Sequence, residues 1–392
     1  MKVAIVHYWL LNMRGGEKVV EALCEMFPDA DLFTHIYNPE AISPTIRRHK
    51  VQTSFIARLP QARRRYQSYL PLMPRALEEL DLRAYDLVIS SESGPAKGVI
   101  TRPDAVHVCY CHTPMRYLWN MYHDYREEAG PLKRLAISFF AHRLRQWDVA
   151  SAARVDHFVA NSQNVARRVW KFYRRDAAVI YPPVDTAFYR PAPGEPDEFY
   201  LYVGQLTRYK RVDIAIEAFN RLGKPLIVIG DGEERNALTR LAGPTIRFLG
   251  RAEDAVLRDH YARCRALIFP GEEDFGIVPV EVMASGRPVL AFGRGGARET
   301  VVPGRTGILF DEQTPEALIA AIERFEKFAA AFDPATIAAH ASNFSKDLFQ
   351  RNFRKFVDDA LASAAAPPPP AVEAGFGAAH RNDAWRPRLA QA

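Results

Sequence analysis

The sequence predicts an α/β protein built from two parallel-sheet domains that face each other across a cleft. Apolar runs of strand length alternate with helical patterns through residues 2–173, and the alternation resumes beyond a stretch rich in Pro and polar residues at 181–198. Such β-then-α alternation is typical of parallel sheets that helices cover on both faces. We therefore expect a first domain at residues 1–183 and a second at residues 184–363.

Each element is placed by a short apolar run and by the pattern that follows it. The first strand covers residues 2–9, and a glycine pair then leads into a helix from Glu17 to Phe27. Further helical patterns cover residues 133–153, 163–173, 211–222 and 233–242. The remaining predicted strands cover residues 31–37, 86–92, 107–112 and 156–162 in the first domain, and residues 199–206, 225–232, 245–250, 266–271 and 288–293 in the second.

The composition excludes several broad classes of protein. Hydrophobic residues make up 48% of the chain and charged residues 25%, which excludes wholesale disorder. Four cysteines in 392 residues exclude a disulfide scaffold and are typical of a reducing, cytoplasmic compartment. The N-terminal apolar run meets Arg14 and Glu17 without a signal-peptide cleavage site, so we interpret it as a core strand. Residues 364–392, rich in Ala and Pro, predict a disordered tail.

Positive charge is concentrated in one segment, residues 41–77, which we call the basic segment. It contains no Asp or Glu, although the net charge of the whole chain is only +6. Its cations alternate with apolar and aromatic residues, which suits an anionic membrane surface. A solvated face over a local core is the alternative, and we expect no nucleic-acid partner. The cations are Arg47, Arg48, Lys50, Arg58, Arg63, Arg64, Arg65 and Arg75.

Two motifs predict an anion site in the cleft. Gly15 and Gly16 follow the first strand and precede a helix, where free backbone N–H groups attract phosphate. A simple tight turn explains the pair equally well, and the spacing is not that of a dinucleotide fingerprint. In the second domain a strand ends at Gly204, and the cations that follow it can bind a diphosphate leaving group. These cations are Arg208, Lys210 and Arg211.

A pair of carboxylates forms the most specific motif. Glu273 lies in the loop after a predicted strand, and Glu281 lies in the helix that Pro279 helps to begin. Both carboxylates can accept hydrogen bonds from sugar hydroxyl groups, although Glu281 capping its own helix is the alternative. A second Gly-rich turn, which Glu299 follows, comes after the next strand.

The run from Cys109 to His112 invites a metal interpretation that its geometry does not support. Cys109 and Cys111 share one face of the predicted strand, but no second cysteine pair supplies the remaining ligands. We therefore expect no metal. His112 stands at a strand end before a Pro turn, so we expect it to face the cleft, with a purely structural role as the alternative.

Together these motifs resemble those of glycosyltransferase family 4, whose members have the GT-B fold of two Rossmann-like domains. The resemblance runs from residue 1 to about residue 360, and its most specific part joins Glu273 to Glu281 within EEDFGIVPVEVMASGRPVLAFGRGGARE. It implies a retaining transferase with a nucleotide-sugar donor and no required metal. Residues 1–183 would form the acceptor-side domain and residues 184–363 the nucleotide-sugar-binding domain.

The resemblance also implies roles for single residues. Glu273 would contact the transferred sugar and Glu281 the ribose, while Lys210 would bind the diphosphate. Gly16 would lie near the phosphates, and His112 near the sugar. The other residues implied in the donor site are Gly15, Arg208, Arg211, Phe275, Gly276, Ile277, Val278 and Glu299.

One position departs from the family pattern. Gln205 stands where many members have an Arg that binds the donor diphosphate. Arg208 or Arg211 would then replace the missing cation, and the sequence does not decide between them. The departure puts the assignment of residues in doubt more than the activity.

Two further segments resemble a narrower group, the bacterial polysaccharide mannosyltransferases. They are SYLPLMPRALEELDLRAYDLVISSESGPAKGV and CYCHTPMRYLWNMYHDY. That resemblance implies GDP-mannose as the donor and a polyprenyl-diphosphate-linked oligosaccharide as the acceptor, in exopolysaccharide, O-antigen or capsule biosynthesis at the cytoplasmic face of the inner membrane. The alternatives are a UDP-sugar-dependent family 4 enzyme, a GT-B epimerase or phosphorylase, and a non-catalytic sugar-nucleotide-binding partner of a polysaccharide assembly complex.

Overall fold

The computed structural model describes residues 1–92, 94–127 and 129–365. Its strands form two sheets in which all the pairs between strands are parallel, and helices pack on the sheets. The predicted α/β fold with two parallel sheets is therefore confirmed. The predicted tail lies outside the described residues from residue 366 onward.

The first sheet belongs to the N-terminal part of the chain. Its strands are β1 (Val3–His7), β2 (Asp31–Thr34), β3 (Val51–Thr53), β4 (Leu87–Glu92), β5 (Val106–Cys111), β6 (His157–Ala160) and β7 (Ala177–Val179). They lie in the order β3-β2-β1-β4-β5-β6-β7, so the winding direction reverses between β1 and β4. Every residue of β1, β4 and β5 is buried, because helices cover both faces of a parallel sheet.

The second sheet repeats this plan. Its strands are β8 (Tyr200–Val203), β9 (Leu226–Ile229), β10 (Ile246–Gly250), β11 (Leu267–Phe269), β12 (Val289–Phe292) and β13 (Gly307–Phe310). They lie in the order β10-β9-β8-β11-β12-β13, with the reversal between β8 and β11. In open α/β sheets, such reversals mark the crevice where ligands bind.

The helices fill the connections that the sequence pattern predicts. Those of the N-terminal part are α1 (Gly15–Met26), α2 (Pro44–Arg47), α3 (Ala62–Arg65), α4 (Met73–Glu78), α5 (Tyr122–Glu127), α6 (Pro131–Ala152) and α7 (Gln163–Tyr173). Those that follow are α8 (Val212–Leu222), α9 (Arg235–Leu241), α10 (Asp254–Arg263), α11 (Ile277–Ala284), α12 (Ala297–Thr300), α13 (Pro315–Lys327), α14 (Pro334–Ala341) and α15 (Lys346–Ala365). Short 3₁₀ turns cover Pro39–Ala41, Phe55–Arg58, Tyr66–Leu72, Ala96–Gly98, Arg208–Lys210, Ala329–Ala331 and Ser342–Phe344.

The sequence pattern did not predict three short strands. β3 and β7 have three residues each and lie at the two edges of the first sheet, where their side chains are only partly buried. β13 lies at an edge of the second sheet and begins with a glycine. β3 and β7 are too short and too exposed for an apolar run to mark them, whereas β13 is apolar and mostly buried and could have been predicted.

The last helix, α15, corrects the predicted second domain of residues 184–363. Its residues Phe349, Phe353 and Val357 are buried in the core of the first sheet, where Phe349 packs edge-on against Tyr110 of β5. The chain therefore crosses back to the N-terminal domain before it ends. An amphipathic pattern carries no information about which sheet receives the apolar face of a helix.

The basic segment folds into α2, β3, α3, α4 and two of the 3₁₀ turns. Its buried residues Ile56, Met73 and Ala76 form a small core with Ile36. All eight of its cations are exposed. The segment is therefore a local core that carries an exposed cationic face. Among the described residues, no helix has the length and hydropathy that crossing a membrane requires.

Candidate active site in the interdomain cleft

The two sheets approach each other at the ends of their central strands. A Cβ atom added to Gly15, at the start of α1, would lie 2.8 Å from Cδ1 of Ile277, at the start of α11. The loops that follow β1 and β11 therefore touch across the cleft. Glycine at position 15 permits this approach, because a side chain there would displace the end of the Ile277 side chain.

The N-terminal wall of the cleft brings Gly16 and His112 together. A Cβ atom on Gly16 would lie 3.8 Å from Nε2 of His112 and 3.5 Å from Cε1 of His7. Gly15 and Gly16 form the first turn of α1, whose backbone N–H groups have no partner within the helix. Gly16 and His112 therefore lie side by side on this wall.

The histidines of this wall are held as neutral rings. Nε2 of His112 lies 2.9 Å from Oγ of Ser91, and Nδ1 of His7 donates to the carbonyl oxygen of Ser91 at 2.9 Å. Burial lowers the pKa of His112 to about 3 and that of His7 to about 4. At neutral pH the wall therefore presents uncharged imidazoles and backbone amides.

The C-terminal wall carries a charged pair. Nζ of Lys210 donates a hydrogen bond to Oε1 of Glu273 at 2.6 Å. The side chain of Lys210 is 14% exposed and that of Glu273 is 23% exposed. Burial acts to lower the pKa of Lys210, but the charge of Glu273 holds that pKa well above its ordinary value. The lysine is therefore a fixed cation. A Cβ atom on Gly271 would lie 2.8 Å from Cα of Lys210, so the loop after β11 packs directly on the lysine.

The second carboxylate of the motif, Glu281, lies deeper. Its Oε1 accepts a hydrogen bond from Nζ of Lys18 at 3.2 Å, and its Oε2 accepts one from the hydroxyl of Tyr261 at 3.0 Å. Glu281 is the fifth residue of α11 and does not cap it. The capping alternative is therefore wrong, and Glu281 instead joins the two domains through Lys18 of α1.

Between these carboxylates, the loop residues divide into buried and cleft-facing positions. Phe275 is buried against Tyr181, with ring centroids 5.6 Å apart. Gly276 has a φ of 84°, in the left-handed region that favours glycine. Ile277 and Val278 are half-buried, and Ile277 faces Gly15.

Glu299 lies at a contact between the domains. Its two carboxylate oxygens accept hydrogen bonds from the backbone N–H groups of Gln163 at 2.8 Å and of Asn164 at 2.9 Å, at the start of α7. A carboxylate at a helix N-terminus is stabilised by the helix dipole. The proximity to the sugar that the resemblance implies for Glu299 stays a prediction.

Arg208 and Arg211, the two candidates to replace the cation missing at Gln205, have different surroundings. Arg211 forms an ion pair with Asp213, with Nη2 and Oδ2 2.9 Å apart, so its charge is already used. Arg208 is exposed, and both arginines line a cavity of about 460 Å³. Thr207, Val212, Asp213, Glu234 and Leu238 complete its lining.

The sequence patterns missed three residues of the cleft. Asp274 accepts a hydrogen bond from Arg168 of α7, and Oδ2 of Asp274 lies 3.8 Å from Nη1 of Arg116, in the turn after β5. Arg168 also lies 3.5 Å from a carboxylate oxygen of Glu272. The one signal that could have indicated Arg116 is its position four residues after His112.

The cysteines of the Cys-x-Cys-His run are buried and free. Within the described part of the chain, no three His, Cys, Asp or Glu side chains are grouped as a metal site would require.

Two family models match this chain. Residues 13–188 match the model described as Glycosyltransferase Family 4, and residues 198–327 match the model described as Glycosyl transferases group 1. Together the two matches take in most of the chain, and they divide where the Pro-rich stretch separates the two sheets.

Curated relatives are similar over part of their length. A GDP-mannose-dependent alpha-mannosyltransferase from Mycolicibacterium smegmatis is 39% identical over 111 residues, which are 28% of this chain and 29% of the relative. A glycogen synthase from Thermus thermophilus is 31% identical over 169 residues, which are 41% of this chain and 38% of the relative. The matched region thus spans well under half the length of these two relatives.

Solved structures share the whole architecture. Anabaena HepE in complex with UDP-glucose superimposes with a TM-score of 0.68 at 18% identity, covering 92% of this chain and 100% of HepE. Sucrose-phosphate synthase from Thermosynechococcus elongatus superimposes with a TM-score of 0.69 at 16% identity, covering 93% of this chain and 100% of that enzyme. The fold is therefore GT-B, and the two parts of the chain contain, in order, a Glycosyltransferase Family 4 domain and a Glycosyl transferases group 1 domain.

Proposed function

We propose that this protein is a retaining glycosyltransferase that moves mannose from GDP-mannose to a lipid-linked oligosaccharide. The observation that carries the proposal is the Lys210–Glu273 pair, which is partly exposed and whose Glu273 lies in the loop before α11, where Ile277 faces Gly15. A fixed cation suits a diphosphate, and a neighbouring carboxylate suits a sugar hydroxyl.

In this proposal the cleft stabilises the departing nucleotide. The bond between the sugar C1 and the β-phosphate oxygen breaks, and the acceptor hydroxyl oxygen forms a bond to C1 on the same face. The acceptor proton passes to a β-phosphate oxygen of the leaving nucleoside diphosphate. Lys210 and the amides of Gly15 and Gly16 stabilise the negative charge that develops there. A double displacement would need a carboxylate nucleophile, and Glu273 is instead hydrogen bonded to Lys210.

GDP-mannose is favoured as the donor by the mycobacterial relative, whose name specifies that nucleotide sugar. A UDP-sugar is the second candidate, because HepE, which shares the fold, binds UDP-glucose. A non-catalytic sugar-nucleotide-binding partner is the third. Lys210, Glu273 and Glu281 all stand in the motif positions, which favours an enzyme over that third candidate.

The proposed acceptor is a polyprenyl-diphosphate-linked oligosaccharide at the cytoplasmic face of the inner membrane. The basic segment supports this, because its exposed cations suit anionic lipid headgroups. Leu70 of the segment packs into the same small core as Ala141 and Leu144 of α6. The adjoining surface of α6 exposes Leu135 and Phe139, at 73% and 54%. Cations beside exposed apolar side chains are the combination that lies on a membrane surface.

A donor screen on the purified chain tests the proposed activity. Thermal stabilisation and slow donor hydrolysis would be measured with GDP-mannose, UDP-glucose, UDP-galactose and UDP-N-acetylglucosamine, since a ligand that binds only the folded state raises its stability. We expect a selective response to GDP-mannose. A selective response to a UDP-sugar would keep the transferase and replace the donor, stabilisation without hydrolysis would favour the non-catalytic partner, and no response to any would contradict the proposed donor site.

Vesicle flotation tests the proposed membrane contact. The triple variant Arg63→Glu, Arg64→Glu, Arg65→Glu should lose binding to vesicles that contain phosphatidylglycerol, because each basic residue near such a surface contributes about 1 kcal/mol. The control is Arg351→Glu on α15, outside the basic segment. Equal binding by the triple variant and the wild type would contradict the contact.

A further inference from the structure

We propose that Arg116, in the N-terminal domain, is the second cation of the donor-diphosphate site and acts in place of an arginine at Gln205. This inference rests on the proposed nucleotide-sugar donor. It assigns to a side chain of the opposite domain a task that the family pattern gives to the loop after β8.

Arg116 lies against the residue that precedes the diphosphate lysine. Its guanidinium carbon is 5.1 Å from the ring centroid of Tyr209, and Nζ of Lys210 is 5.9 Å from the same centroid. Two cations from different domains therefore flank one phenol ring. Their mutual repulsion is balanced in this structure by the carboxylates of Glu273 and Asp274, and an anionic ligand between them would be attracted by both.

The hydrogen-bonding capacity of Arg116 is not used up. Its contact with Asp274 is 3.8 Å long, beyond hydrogen-bond range, and its buried Nε has no hydrogen-bond partner among the described residues. Its side chain nevertheless keeps only 18% of its exposure. Buried polar atoms in folded proteins are normally hydrogen bonded, so an unsatisfied guanidinium in a cleft points to a ligand. A phosphate is the ligand that a planar guanidinium binds through two parallel hydrogen bonds.

Arg168 shows the contrast within the same cluster. It donates hydrogen bonds to Asp274 and to Oγ1 of Thr113, and it lies 3.5 Å from Glu272. Arg168 is therefore satisfied by protein groups. Arg211 is likewise paired, with Asp213. Of the three arginines compared, Arg116 is the one with a buried nitrogen that lacks a partner.

A diphosphate-binding cation on the N-terminal domain would couple donor binding to domain closure. A diphosphate held by Lys210 and Arg116 together would join the two domains, so donor binding and domain closure would stabilise each other. An arginine at position 205 would bind the diphosphate from the C-terminal domain alone. The exposed, uncharged Gln205 therefore makes this chain dependent on closure for full diphosphate affinity.

Calorimetric titrations with GDP and GMP test the assignment, with UDP and UMP titrated in parallel. The variant Arg116→Gln should weaken binding of the diphosphate by about 10- to 100-fold, the range expected for charged hydrogen bonds, and should change binding of the monophosphate by less than about threefold. The variant Gln205→Arg in the Arg116→Gln background should restore most of the loss, because it returns a guanidinium to the same phosphates. Arg351→Gln, an exposed arginine of α15, is the matched control, and thermal unfolding checks the fold of each variant.

Two results would overturn the assignment of Arg116 while leaving the proposed donor intact. One is wild-type affinity for the diphosphate in Arg116→Gln. The other is an equal loss for diphosphate and monophosphate that Gln205→Arg does not restore, since that indicates a general effect on the cleft. If the wild type bound none of the four nucleotides, the proposed donor and the assignment would fall together.

Discussion

Lys97 and Lys210 both follow a strand beside a reversal of strand order, and both lie next to a carboxylate, yet their surroundings differ completely. Lys97 follows β4 and is fully buried with Asp148 and Glu92. Lys210 follows β8, and its pair with Glu273 remains open to the cleft. β4 and β8 stand on opposite sides of their reversals, so the two lysines occupy different positions in the two domains, and one is sealed in the core while the other is open to the cleft.

We call Lys97, Asp148 and Glu92 the sealed cluster. Its net charge is zero when one of the two carboxyl groups is protonated. Asp148 accepts hydrogen bonds from Lys97, from Nε1 of Trp119 at 2.8 Å and from the hydroxyl of Tyr173 at 2.9 Å. Glu92 is farther away, with Oε1 3.5 Å from Nζ of Lys97, and burial raises its pKa to about 7. One lysine is thus balanced by Asp148, while Glu92 tends to hold its proton.

Lys210 and Glu273, which we call the open pair, have fewer partners among the described residues. One hydrogen bond joins the two side chains, and both are partly exposed. The comparison teaches that exposure and spare hydrogen-bonding capacity, rather than the presence of a buried ion pair, mark the site. Three predictions test this difference.

The largest expected effect is on the sealed cluster. Asp148→Asn would remove the carboxylate that accepts the hydrogen bond from Lys97 and leave only Glu92, with Oε1 3.5 Å from Nζ, to ionise as its counter-ion, so the free energy of unfolding should fall by up to about 3–5 kcal/mol, the loss when a buried ion pair loses one partner. Glu92→Gln keeps the neutral arrangement and is the matched control, with a small effect at neutral pH. Urea denaturation of both variants measures the difference, and equal losses would contradict the assignment of charge within the cluster.

The next effect concerns the open pair. Lys210→Ala should lower turnover of the donor by about 10²–10³-fold, the cost of removing one group that stabilises a developing anion. Its free energy of unfolding should change by about 1 kcal/mol or less, because water replaces the lost partner of Glu273. Lys355→Ala breaks an exposed Lys–Asp pair on α15 and serves as the control. Retained turnover in Lys210→Ala would remove the lysine from the site.

The smallest effect is a dependence of stability on pH. Because the pKa of Glu92 is raised from 4.5 to about 7 in the folded protein, its protonated form contributes stability that is complete below about pH 4.5 and is lost as the pH rises through 7. Glu92→Gln cannot ionise, so its free energy of unfolding relative to the wild type should increase between pH 5 and pH 8, by about 1–3 kcal/mol. Denaturation across this range measures the difference, and parallel curves would contradict the raised pKa.

The sequence predicted most of this site because its main residues follow buried strands. Parallel strands end at one edge of a sheet, which is why the structure brings Gly16 close to His112 and Lys210 close to Glu273. The packing of α15 on the first sheet was not predictable, because an amphipathic pattern does not indicate which element will cover its apolar face. Arg116, Arg168 and the contact of Glu299 with α7 depend on how the two domains meet, which no local pattern encodes.

The most direct test of the central claim is a crystal structure of the protein with GDP bound. We expect the β-phosphate within about 3 Å of Nζ of Lys210, beside the first turn of α1. GDP in the cavity lined by Arg208 and Arg211, with Lys210 still bound only to Glu273, would contradict the claim that the open pair marks the donor site.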